Sequence, residues 1–120
     1  MTPSSVLMLH SDKVQFVQDY LQGAIPQCPN TQPLCIVGGG ATGKSYVLKQ
    51  VAEESPVAFC HMNIEKRVCF HSGKFINPEG RFCPIPFIFE TLGLPEDLQM
   101  AETLQAHIVE FVPDPSYLHH

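Results

Sequence analysis

Leu34-Cys35-Ile36-Val37-Gly38-Gly39-Gly40-Ala41-Thr42-Gly43-Lys44-Ser45-Tyr46 carry the strongest architectural signal in the chain. Leu34 to Val37 form a short apolar run bounded by Pro33 and Gly38, the signature of a buried strand. Gly38 to Ser45 fit the pattern G-x-x-x-x-G-K-[ST]. Tyr46 to Glu54 follow with helix-compatible spacing. Strand, glycine loop and helix N-terminus in that order are the setting a phosphate-binding loop requires.

The chemistry expected there follows from the backbone. Gly38, Gly39, Gly40 and Gly43, with Ala41 and Thr42 between them, can turn successive N–H groups around an anion. A helix starting near Gly43 adds open N–H groups and the positive end of its dipole. Lys44 is placed to reach the β- and γ-phosphates of a nucleotide, and the Ser45 hydroxyl to ligate Mg²⁺.

Outward from the loop, the N-terminal side begins with Val6-Leu7-Met8-Leu9, a short strand or a packing arm. Ser11 to Gln22 read as a helix with Ser11 as N-cap, an apolar face of Val14, Val17 and Leu21, and Gly23 closing it. Residues 24–33 hold three prolines and read as a loop. The division expected is an arm and amphipathic helix over 1–33 and an α/β core over 34–118.

On the C-terminal side, Ser55-Pro56 stop the helix, and Val57 to Asn63 read as a second strand beside the first. Residues 64–83 hold four of the seven basic side chains, Lys66, Arg67, Lys74 and Arg81, interleaved with Phe70, Phe75 and Phe82. Cations alternating with aromatics suit single-stranded nucleic acid, and equally a solvated hairpin with its phenylalanines in the core. Ile85 to Phe89 form an apolar run ending at Glu90, with Pro86 inside it. A strand ending in a carboxylate can hold Mg²⁺ or orient water beside a phosphate loop. Leu94 to Gln105 read as a helix with Pro95 in its first turn. His107 to Val112 read as a last strand, and its Glu110 competes with Glu90 for the metal-side role.

Bulk properties bound the function. The 120 residues suit one domain, minimal or truncated for this architecture. A net charge of −5 excludes a whole surface built for nucleic acid but leaves room for a local basic patch. Five cysteines without a C-x-x-C pair point to free thiols in a reducing, intracellular compartment. Cys60, His61, Cys69, His71 and Cys83 are zinc-ligand types without the close pairing of structural zinc. No membrane-length apolar run occurs.

Ala41-Thr42-Gly43-Lys44-Ser45 resembles the Walker A box of superfamily 3 helicases, the replication helicases of small DNA viruses. Val57-Ala58-Phe59 leading to Asn63 is similar to the strand that ends in an asparagine in the parvovirus-type members, and Pro86 to Glu90 to their Walker B strand. The resemblance covers roughly 34–91. It departs at Gly39, where the family usually has proline, and at Thr91, where a second acid is usual. No later strand ends in a sensor asparagine and no arginine follows Arg81, so the chain is expected to be a fragment or a reduced relative. The resemblance implies a three-layer α/β sandwich with a mainly parallel sheet and ATP–Mg²⁺ binding and hydrolysis. It also implies single-stranded nucleic acid and further copies of the chain as partners. Two other readings fit the loop: a small nucleotide or nucleoside kinase, and a non-catalytic protein whose assembly depends on nucleotide.

Overall fold

The computed structural model describes residues 5–63, 68–71, 74–76 and 86–114. Among these, seven strands form one sheet: β1 (Ser5–Leu7), β2 (Leu34–Val37), β3 (Cys60–Asn63), β4 (Val68–His71), β5 (Lys74–Ile76), β6 (Phe87–Thr91) and β7 (His107–Phe111). Three α-helices accompany it: α1 (His10–Leu21), α2 (Lys44–Glu54) and α3 (Pro95–Thr103). The strand order is β1-β7-β2-β6-β3-β4-β5. The five strands from β1 to β3 are parallel, and β4 and β5 extend the sheet as an antiparallel meander. The chain is therefore a mixed α/β fold around a five-stranded parallel sheet.

The apolar runs take the middle of the sheet because parallel strands there are buried on both faces. Leu34, Cys35, Ile36, Ile88 and Phe89 are fully buried. Leu34, Ile36, Ile88, Val109 and Phe111 share one cluster with side chains of α1 and α2. Cys35, Phe89 and Ile108 form the other with Ala101 of α3, with Val37, Phe87 and Leu98 against it. This is the period-two alternation of strands feeding two opposite faces. The second strand, expected beside the first, is separated from it by β6. Phe87-Ile88-Phe89 is the bulkier run and gains more by taking the doubly covered position. Pro86 stands just outside β6, where its carbonyl accepts from the Cys60 N–H at 3.0 Å, so the ladder loses no donor.

α1 starts one residue earlier than the sequence suggests. Leu9, not Ser11, is the N-cap, and no side chain caps the helix. The reason is on the opposite face: Lys13, Val14, Val17, Tyr20 and Leu21 are buried, and packing sets where the helix begins. Its end is as expected. Gly23 has φ +70°, its N–H donates to the Tyr20 carbonyl, and the Ala24 N–H donates to that of Asp19, a Schellman closure. β1 pairs with β7 and α1 lies in the first cluster, so residues 5–33 contribute to the same sheet and core. α2 is short enough to be marginal alone. Val47, Leu48 and Val51 are fully buried, and their burial contributes about 5 kcal/mol. Among the described residues no helix is long and apolar enough to cross a membrane.

Candidate functional site

The chain leaves the sheet at Gly38. Its N–H donates to the Thr91 carbonyl at 3.1 Å, tying the start of the loop to the end of β6. Gly40 to Thr42 make a single 3₁₀ turn, held by the Thr42 hydroxyl donating to the Gly39 carbonyl at 2.6 Å. Gly43 then takes φ +78°, a left-handed conformation that glycine adopts without cost, and α2 begins. No side chain caps α2, and the first-turn N–H groups of a helix have no intrahelical acceptor. The positive end of the helix dipole is therefore directed at the loop.

Two lysines hold the loop by its carbonyls. Lys44 Nζ donates to the Gly38 carbonyl and, at 3.3 Å, to that of Gly39. Lys13, from α1, donates to the Thr42 carbonyl at 2.9 Å and to the Val112 carbonyl at 2.6 Å, with the Phe111 ring 5.4 Å away. Burial pushes the Lys13 pKa down, and the Asp114 carboxylate opposes the shift. The sequence reading overlooked Lys13. The signal available was a lysine in register with Val17, Tyr20 and Leu21 on the apolar stripe of α1.

Parallel pairing brings the C-terminal ends of β2, β6 and β3 to one edge of the sheet. There Glu90, only 2% exposed, accepts at Oε1 from the Ser45 hydroxyl at 2.9 Å and from the Asn63 amide at 2.9 Å. A cleft of about 390 Å³ opens over this group, lined by Gly40, Lys44, Ser45, Asn63 and Glu90. Glu110 is not brought here. It shares strand parity with Ile108, in the cluster with α3, whereas Glu90 shares parity with Ile88, on the side of α2. Thr91, at the place of a second acid, is fully buried and donates to Asp97 at 2.7 Å. Hydroxyl, carboxylate and amide oxygens are the donors a hard cation such as Mg²⁺ takes, with phosphate and water completing its shell. The residues present fit that ion.

The other expected site residues fall elsewhere. Lys66, Arg67 and Arg81 lie outside the described residues, and Lys74 opens β5 at the sheet edge. Of the zinc-type residues, Cys60 registers with His71 and Met62 with Cys69 across β3 and β4. Cys83 lies outside the described residues. Among the described residues no three His, Cys, Asp or Glu side chains gather as in a metal centre. Comparison with models of protein families, with curated proteins and with solved structures found no match to the chain.

Proposed function

We propose that the chain binds a nucleoside triphosphate, ATP, with Mg²⁺ at Gly38–Ser45, and hydrolyses it as the P-loop domain of a viral-type replication helicase or related motor. The observation that carries the reading is the meeting of Ser45 and Glu90 at 2.9 Å beside the loop that Lys44 backs. Two segments 45 residues apart in the chain come together with the donor set the phosphate motif calls for. In this reading the loop N–H groups and the α2 terminus bind the phosphates, and Lys44 neutralises charge on the γ-phosphoryl group. Ser45 and Glu90 would hold the metal, with Asn63 orienting the Glu90 carboxylate. Mg²⁺ supplies charge neutralisation between the phosphates when bound. The two apolar clusters on opposite faces of a parallel sheet support a three-layer, P-loop NTPase-like sandwich. Single-stranded nucleic acid at Lys66, Arg67, Lys74 and Arg81, and assembly with further copies of the chain, belong to the same proposal.

A second reading, nucleotide binding without turnover, is favoured by one observation. Thr91 stands where a second acid would be, and its hydroxyl is committed to Asp97 and to the Gly93 N–H. Calorimetric titration of ATP with Mg²⁺ tests both readings. The wild type is expected to bind at micromolar Kd and Lys44→Ala to lose binding. A wild-type protein that binds neither ATP nor GTP sinks the proposal. Phosphate release, measured with and without single-stranded DNA, then separates the motor from the non-hydrolysing protein.

A further inference from the structure

A second cavity, of about 230 Å³, lies on the other flank of the glycine loop. It shares Gly40, Gly43 and Tyr46 with the first cleft, so the two meet at the loop and the first turn of α2. Its remaining wall comes from Thr42 of the loop, from α1 through His10 and Lys13, and from the segment after β7 through Asp114. The phosphate cleft is already in the lower part of the ~300–1,000 Å³ range of ligand pockets, and this cavity extends it.

The chemistry of the second cavity differs from that of the first. Tyr46 is 62% exposed, while the buried face of α2 is Val47, Leu48 and Val51, so the fold makes little use of the ring. The ring nevertheless lies 5.0 Å from that of His10, tilted by 40°. His10 is held in turn: its Nε2 is 2.8 Å from Gln50 Oε1, and its backbone N–H donates to Asp114 Oδ2 at 3.3 Å. An aromatic pair fixed on a cavity wall is a stacking platform, and bases stack on such platforms through their π-faces. The Asp114 carboxylate adds acceptors suited to N–H donors on a base edge.

We infer that this cavity is a nucleoside subsite for a purine nucleotide, with the base on the Tyr46–His10 pair and Asp114 accepting from its N–H donors. The inference rests on the reading of the glycine loop as the phosphate site and adds what that loop cannot supply. A phosphate loop reads phosphates through backbone, so any preference for base has to come from a neighbouring surface.

The test compares ATP, GTP and inorganic tripolyphosphate, each with Mg²⁺, by calorimetry on the whole chain. At least one purine triphosphate is expected to bind tenfold or more tightly than tripolyphosphate. Tyr46→Ala lowers that ratio about tenfold, Tyr46→Phe retains it, and His10→Ala and Asp114→Asn reduce it. Thermal denaturation of each variant verifies that it is folded. Tripolyphosphate binding as tightly as both nucleotides, or an unchanged ratio in Tyr46→Ala, overturns the subsite. The phosphate reading survives in that case, because Lys44→Ala still abolishes binding of all three. If none of the three binds the wild type, both readings fall together.

Discussion

A methyl group added at Gly38 would lie 2.6 Å from Thr42 Oγ1 and 2.7 Å from the Phe111 carbonyl oxygen, closer than real side chains approach. One added at Gly40 would meet nothing within 4 Å, and Gly40 is not among the residues with positive φ. The two glycines therefore separate fold from ligand. Gly38→Ala is expected to lower stability by about 1–3 kcal/mol in urea denaturation, by overpacking. Gly40→Ala is expected to leave the denaturation midpoint unchanged while weakening ATP binding roughly tenfold, because the methyl would enter the cleft proposed for the phosphates. His61 gives a residue-scale prediction in pH. It is 8% exposed, against the Phe59 ring at 6.2 Å, and burial pushes its pKa down to about 4. An unfolded His61 takes up a proton near pH 6.5. Its contribution is therefore complete above pH 6.5 and is lost as pH falls towards 4, by on the order of 3 kcal/mol. His61→Gln should flatten the stability profile over that window, and an unchanged slope in the variant would assign the acid sensitivity to other groups.

At the scale of elements, Lys13 joins α1, the glycine loop and the end of β7. Two competing terms decide what its loss does. Its hydrogen bonds to the Thr42 and Val112 carbonyls each contribute roughly 1.5–3 kcal/mol as charged bonds. Desolvation opposes them and is the stronger influence on its protonation, as its lowered pKa shows. A buried cation replaced by an apolar chain of similar volume commonly costs little net stability. Lys13→Met is thus expected to change global stability by no more than about 1 kcal/mol. The loop loses one of its two lysine anchors, however. Amide hydrogen exchange over 38–47 should quicken in the variant while exchange in β2 and β6 stays slow. Equal acceleration throughout the sheet would mean that Lys13 supports the whole fold rather than the loop.

At the scale of the molecule, the parallel order of β7, β2, β6 and β3 brings the C-termini of these four strands to one edge of the sheet. Sites of open α/β sheets lie outside those ends, and here Ser45, Asn63 and Glu90 converge there. The same closed core protects the thiols. Cys28, Cys35 and Cys60 are fully buried, and burial pushes Cys35 up to about 12 and Cys28 up to about 11. Brief alkylation of the native protein at pH 8, mapped by mass spectrometry, should leave these three unmodified until denaturant is added. Labelling of Cys35 at a rate close to that of a free thiol would contradict a core closed over β2.

The glycine loop, the three helices, the apolar runs of β2, β6 and β7, and the Gly23 closure are all legible in the sequence. These depend on local spacing, on glycine conformations and on apolar periodicity, all of which lie within a dozen residues. Asn63 was visible at the end of its strand, but its partner was not. Long-range packing places β6 between β2 and β3, and puts Glu90 rather than Glu110 on the side of α2. It alone turned Lys13 onto the loop and moved the N-cap of α1 from Ser11 to Leu9. Strand parity can be read from a single run. The face covered by α2, and the run that takes the centre, depend on how several apolar segments compete for the same buried space.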